Sequence, residues 1–398
     1  MRNKASFDYT LSSDIGLNAR LKSLKNAHNF RTITDYQHND ISITPYASHI
    51  HHSLHKPLIN FVSNDYLALS LDTALIKEFL NTLCAQDMVF SSASSRSLSG
   101  GFPIYDTLES HLSQLYAPKK ALLFNSGYHC NLSCIQALGT LTHTLFLLDR
   151  FSHASVFDGV RSAHFKRFRH NDMTALEALI EFHHRHYERV IIVTEGLFSM
   201  EGDFGKINDI IQLKKAYPNV FLYVDEAHSV GVCGNNGLGI AYEYIEEIDF
   251  LVLTFGKALA SMGACMLCNA AQRDFFINTA RGLIYSTALP PINVAWSNFI
   301  WSKIPTLSHK RNKLQLLSQH LRSRLKEKGY TIRGEAHIIS LICGDNHSAI
   351  KLSEQLRECG FFAPAIKEPT IPKGTARIRF SLNAALELEH ISQLAEAL

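Results

Sequence analysis

The stretch VFLYVDEAHS, residues 220–229, runs from five apolar or aromatic side chains straight into an acid, with an imidazole three positions later. An unbroken run of this kind, closed by polar residues, reads as a strand covered on both faces, the habit of parallel sheets. Outward from it lie four more such runs: ALLF (121–124), TLFLL (144–148), VIIV (190–193) and FLVLTF (250–255). Most connections between them are long enough for a crossover. Two of these, MTALEALIEFHHRH (173–186) and INDIIQLKKAY (207–217), space their apolar residues as helices do. The fold class is therefore α/β, a largely parallel sheet flanked by helices.

In such a sheet, ligands bind beyond the carboxyl ends of the strands, where the loops converge on a rigid base. The reactive candidates fall at those ends. Asp225 and His228 follow VFLYV, and Lys257 follows FLVLTF within TFGKALASMGA (254–264), a lysine among small and apolar neighbours. Ser126 and Gly127 follow ALLF and open a predicted helix, whose free amides and dipole favour a phosphate. His153 follows TLFLLD; it either reaches the same edge or serves as a core or capping residue. Taken singly, Asp225 reads as a helix cap and Lys257 as a stem covering apolar surface. Taken together, an acid, an imidazole, an amine and an anion-binding turn are what pyridoxal phosphate requires: an amine for its aldehyde, a carboxylate for its ring nitrogen and donors for its phosphate.

Other signals are weaker. GVCGNNGLG (231–239) lacks the strand–turn–helix setting and acidic ribose partner of a dinucleotide site, and reads as a loop shaping the edge. Cys265 and Cys268 form a CxxC inside the apolar, strand-like ACMLC with no second pair at zinc spacing, so buried thiols are expected. The histidines at 49, 51, 52 and 55 and at 183, 184 and 186 lack carboxylate or thiolate company, and no metal is expected.

At 398 residues, the chain is long enough for a large unit plus a smaller one. A polar, His-rich arm is expected over 1–60, with LNARLKSLKNA (17–27) as an amphipathic helix. A large cofactor-binding domain is expected over 61–290. After Pro290 and Pro291, GYTIRG, HIISLICG, SAIKLSEQLRECG and ARIRFSLNA mix strands and helices and predict a small C-terminal α/β domain over 291–398. Hydrophobic residues make up 46% and charged residues 19%, with a net charge of only +3, which argues for a globular protein without a dedicated nucleic-acid surface. Eight scattered cysteines fit a reducing compartment. MRNKASFDYT has no apolar signal core, and no run approaches the roughly 18 apolar residues of a membrane span. A soluble cytoplasmic protein is expected.

Over almost its whole length the chain resembles the α-oxoamine synthases, fold-type-I enzymes dependent on pyridoxal phosphate. The matching segments are NDYLALS (64–70), SSRSLSG (94–100), FNSGYHCN (124–131), DRFSHASVFDG (149–159), TEGLFSMEGD (194–203), VDEAHSVGVCGNNGLG (224–239), TFGKALASMGA (254–264), LIYSTALPP (283–291) and PTIPKGTARIRFSLNA (369–384). The resemblance implies a mostly parallel seven-stranded sheet and a homodimer with shared sites. It implies that Lys257 holds the cofactor covalently, Asp225 pairs with its ring nitrogen, His228 meets its ring hydroxyl and His153 stacks on its ring. Gly127, Tyr128, Ser199 and Thr254 would contact the phosphate or ring, and Ser286 and Thr287 would complete a partner's phosphate site. Arg379, Asn64, Thr370 and, in the arm, Arg31 would contact substrates; Arg377 shares the strand face of Arg379.

The members it most resembles condense L-alanine with a pimeloyl thioester, carried on coenzyme A or acyl carrier protein, with loss of carbon dioxide, a step in biotin biosynthesis. Lys257 would then also serve as the base at the amino acid's α-carbon. The alternatives are another α-oxoamine synthase with a different amino acid and thioester, or a homologue without catalysis, which Lys257 disfavours. Tyr105, Ser229, Ala260 and Leu386 depart from residues common in the family and bear on the acyl pocket and entrance.

Overall fold

The computed structural model describes residues 16–26, 29–46, 56–84 and 88–398. Near the N-terminus, β1 (Asp35–Asn39) and β2 (Ser42–Tyr46) form an antiparallel hairpin that adds to β3 (Leu58–Asn60). The central sheet comprises β4 (Lys120–Phe124), β5 (Thr144–Asp149), β6 (His164–Phe168), β7 (Arg189–Glu195), β8 (Val220–Asp225), β9 (Phe250–Thr254) and β10 (Ala264–Cys268), in the order 4-10-9-8-7-5-6. All pairings on the β6 side of β9 are parallel, while β10 runs antiparallel to both β4 and β9. The expected seven-stranded, mostly parallel sheet is present.

Neighbouring residues explain the continuous apolar runs. Leu145, Leu147, Val190 and Ile192 belong to the core on one face of the sheet, whereas Phe146, Leu148, Ile191 and Val193 belong to the core on the other. Each strand must therefore be apolar on both sides, the physical meaning of an unbroken run. The edge strand β6, HFKRF, is the exception: four of its five residues are exposed, including Lys166 and Arg167, and charges on an edge discourage pairing with another chain. Its polarity hid it from a reading based on apolar runs.

A C-terminal sheet is formed by β11 (Ile332–Arg333), β12 (Ile338–Gly344), β14 (Ala365–Ile366) and β15 (Ala376–Ser381), in the order 11-12-15-14. Between them, β13 (Phe361–Phe362) leaves this sheet and pairs in parallel with β3. The N-terminal strands are thus stitched to the C-terminal region. The helix Leu17–Asn26 forms where expected but buries none of its residues. Of the two histidine groups, residues 49, 51, 52 and 55 lie outside the described residues, and among the described residues no cluster could hold a metal ion. Cys265 and Cys268 are buried free thiols. Among the described residues, no helix is long and apolar enough to cross a membrane.

Candidate active site

The carboxyl ends of β4, β5, β7, β8 and β9 converge on a cavity of about 210 Å³. Its lining includes Gly127, His153, Glu195, Asp225, His228 and Lys257. Asp225 ends β8 and is held from two sides: Asn131 Nδ2 donates to Oδ2 at 2.7 Å and the Ala227 amide donates to Oδ1 at 2.9 Å. Asn131 is itself fixed by the Tyr223 hydroxyl, which donates to its Oδ1 at 2.8 Å.

Lys257 lies just past β9. Burial depresses its amine to about 8, although Asp225 and Glu195 pull the other way. Its Nζ lies 2.8 Å from His228 Nε2, and His228 Nδ1 lies 2.6 Å from the Tyr66 hydroxyl. Burial, followed by the charges of Lys257 and Arg379, holds His228 far below its usual range, so the ring is neutral and has one N–H. Tyr66 donates to Asn64 Oδ1 at 3.0 Å, which leaves its oxygen to accept from His228 Nδ1. Nε2 then accepts from the lysine. The chain Asn64–Tyr66–His228–Lys257, buried at Tyr66 and His228, therefore aims the amine.

At the end of β4, Ser126 caps the helix Gly127–Gly139 by accepting the His129 amide at 3.2 Å, and the unpaired amides of its first turn face the cavity edge. A Cβ built on Gly127 would overlap Thr254 Cγ2, so the helix start can approach β9 only with glycine there. A helix N-terminus with free amides, a carboxylate held across the cavity from it and a buried amine of depressed basicity are groups that would hold the phosphate, ring nitrogen and aldehyde of pyridoxal phosphate.

His153 is exposed toward the cavity, its Nδ1 2.8 Å from Ser155 Oγ, and Tyr128 also lines it. Thr254 is buried beside Gly127. Ser199 does not line the cavity; its carbonyl accepts Arg379 Nε at 2.5 Å. Arg379 also donates to Ser381 Oγ at 2.7 Å, and Arg377 is fully buried, paired with Glu201 at 3.0 Å. Ser286 and Thr287 lie beside Asn125, whose Nδ2 donates to Ser286 Oγ at 2.9 Å and to the Thr287 carbonyl at 2.7 Å. Thr370 is exposed in a turn and Arg31 is exposed in the arm, neither of them lining the cavity.

Tyr66, Asn131 and Glu195 escaped the sequence reading. They lie inside the segments NDYLALS, FNSGYHCN and TEGLFSMEGD, but only the fold shows that Tyr66 meets His228 and that Asn131 and Glu195 meet Asp225. Glu195, in register with Asp225, is held well above the usual carboxylate range by burial and by that neighbour's charge. Of the departures, Tyr105 is buried and donates to the Leu289 carbonyl, Ser229 donates to the buried Glu226 carboxylate, and Leu386 is buried. Ala260 adopts a φ of 46°, in the left-handed region that glycine occupies without strain.

The Aminotransferase class I and II family profile matches residues 56–398. An 8-amino-7-oxononanoate synthase of Haemophilus ducreyi is 46% identical over 354 residues, covering 86% of this chain and 91% of that protein. Among solved structures, serine palmitoyltransferase from S. paucimobilis with a bound PLP–myriocin aldimine superposes with a TM-score of 0.83 at 26% identity, covering 98% of each chain. An 8-amino-7-oxononanoate synthase from Francisella tularensis superposes with a TM-score of 0.70 at 26% identity, covering 85% of this chain and 96% of that one.

Proposed function

Because the chain belongs to the class I and II aminotransferase family, we propose that it is a pyridoxal-phosphate-dependent acyltransferase that condenses L-alanine with a pimeloyl thioester to give 8-amino-7-oxononanoate, carbon dioxide and the free thiol carrier, a step of biotin biosynthesis. The observation that carries this reading is the meeting of Lys257, Asp225, His153 and the Gly127 helix start around one cavity. When bound, the cofactor supplies an electron sink for negative charge at the amino acid's α-carbon.

The chain's own groups do the rest. Lys257 would hold the cofactor, and its Nζ would be the base that moves the amino acid's α-proton. Its depressed basicity keeps a useful fraction of free amine near neutral pH. Asp225, fixed by Asn131, would pair with the ring nitrogen, and His228, beside the Lys257 amine, would meet the ring hydroxyl. His153, which lines the cavity, would cover the ring face. Gly127, Tyr128 and Thr254 would contact the phosphate or ring, whereas Ser199, outside the cavity lining, would act through Arg379, whose Nε its carbonyl accepts.

Arg379, with its donor groups set by Ser199 and Ser381, receives the amino-acid carboxylate, since a planar guanidinium suits that group. Asn64, and Thr370 and Arg31 from outside the cavity lining, would contribute to the substrate side. Ser286 and Thr287 reach a partner's phosphate site in a cytoplasmic homodimer. The arm, the large domain over 61–290 and the C-terminal domain from 291 are the working units. Coenzyme A and acyl carrier protein present the same thioester end and are both admissible carriers.

The test begins with apoprotein and added pyridoxal phosphate. Capture generates a visible absorbance band that borohydride fixes to Lys257 and that Lys257→Ala abolishes. Only the free amine attacks the aldehyde, so the capture rate rises with pH through about 8, well below the range of an exposed lysine. Release of thiol is then measured with alanine, glycine or serine against pimeloyl, acetyl and longer thioesters. Turnover that does not depend on alanine and a pimeloyl thioester overturns the substrate assignment.

A further inference from the structure

Outside the cavity, a second cluster joins the loops that lead into it. His170 stands between two carboxylates: Nδ1 is 3.0 Å from Asp149 Oδ1, and Nε2 is 2.8 Å from Asp203 Oδ2. An ionised carboxylate can only accept, so a ring facing one through each nitrogen has both protons and is an imidazolium. Phe198 packs edge-on against it at 4.5 Å and Phe151 lies tilted at 4.8 Å, while Asp149 is fully buried. Among the described residues no other charged group faces the ring: the neighbouring Arg169 is turned to Asp172 at 2.7 Å. The next residue, Asn171, extends the tie. Its amide donates to Asp149 Oδ2 at 2.9 Å and its side chain donates to the Phe204 carbonyl at 3.0 Å.

What the two carboxylates belong to gives the cluster its consequence. Asp149 ends β5, caps the turn by accepting the Phe151 amide at 2.8 Å, and leads within four residues to His153. Asp203 closes the loop 196–205, whose backbone is the seat of the C-terminal sheet. Ser199 O accepts Arg379, Met200 O accepts both Arg377 and Ser340, and Gly202 O accepts the Glu335 amide.

We infer that His170 is a positioning residue, whose doubly protonated ring ties the segment presenting His153 to the loop seating Arg379 and so sets the cofactor's covered face and the grip on the amino-acid carboxylate together. The inference rests on the roles given above to His153 and Arg379. Burial opposes the charge on His170, but the hydrogen bonds and charges of Asp149 and Asp203 outweigh it and raise the ring to about 9. The tie is therefore fully made below the ordinary histidine range near ~6.5 and is lost as pH rises through about 9.

The test uses holoenzyme and three variants: Arg379→Lys, His170→Asn and Asp203→Asn. Alanine affinity is read by spectral titration of the bound cofactor, and the cofactor's surroundings by its visible circular dichroism, both across pH 6 to 10, with far-ultraviolet dichroism as the folding control. Arg379→Lys weakens alanine binding; if it does not, the carboxylate role assigned to Arg379 fails independently of His170. His170→Asn weakens alanine binding about tenfold and alters the cofactor's dichroism. Asp203→Asn keeps an acceptor but removes one charge, so its alkaline loss of alanine affinity begins at lower pH than in the wild type. Ionisations of alanine itself are common to both proteins and cancel in that comparison. Coincident alkaline limbs for the wild type and Asp203→Asn, or wild-type alanine affinity in folded His170→Asn, overturn the inference. A failure of His170→Asn to fold leaves the decision with Asp203→Asn.

Discussion

Gly127 shows how one side chain's absence can determine a cofactor site. The start of its helix approaches β9 so closely that a methyl would meet Thr254 Cγ2, and Thr254 cannot simply rotate without giving up its contact with the Ala227 carbonyl at 3.4 Å. Gly127→Ala is therefore expected to push the helix amides off the phosphate and weaken pyridoxal phosphate binding about tenfold or more. The measurement is a fluorescence titration of apoprotein. Adding Thr254→Ser, which removes the offending methyl, restores most of the affinity; a double variant no better than the single one refutes the steric account. Lys257, Asp225 and Gly127 were legible in sequence because each follows directly on an apolar strand. Tyr66 and Asn131 were not, since their importance comes from contacts 162 and 94 residues away, with His228 and Asp225 respectively. No local pattern encodes a partner at that distance.

The elements were legible to the degree that burial is written into their composition. β5, β7, β8 and β9 are covered on both faces and announced themselves as apolar runs, whereas β6 is an exposed edge and β10 is a short strand of reversed direction whose pairing no run reveals. The loop 196–205 was visible as TEGLFSMEGD, but its mechanical part was not. Within it Glu201 is nearly inaccessible and receives both Arg377 and Arg333. Arg377 is itself fully buried, so removing its carboxylate leaves an uncompensated charge in the interior. Glu201→Ala is expected to cost about 3–5 kcal/mol of unfolding free energy, the penalty for breaking a buried pair from one side. Denaturant titration measures it, and hydrogen exchange should place the earliest loss of protection in β12 and β15. A cost below about 1 kcal/mol would mean that water reaches Arg377 readily.

Across the whole molecule, the cavity is lined by residues from Ser126 to Gly263, and Tyr66 joins it from far upstream only through its contact with His228. The pairing of β3 with β13 within one sheet joins the N-terminal strands to the C-terminal part of the chain, and Arg379 on β15 donates to the Ser199 carbonyl in the loop after β7. The fold class and the cofactor edge could be read from runs and spacing, because a parallel sheet gathers its functional loops at one end by construction. Which chain completes the phosphate site could not, since spacing within one sequence does not say whether a contact is made at home or in a partner. Ser286 and Thr287 lie against Asn125, immediately before the Ser126 cap. If these two residues serve the partner's site, activity can be rebuilt from two defective chains. Lys257→Ala lacks the amine, and a Ser286→Ala/Thr287→Val chain lacks the donated contacts, so each homodimer is weak or inactive. Random mixing makes half the dimers mixed, each with one intact site, and predicts roughly a quarter of wild-type activity. Co-expression with two affinity tags isolates the mixed species, and a mixed dimer no more active than its parents would assign Ser286 and Thr287 to their own chain's site.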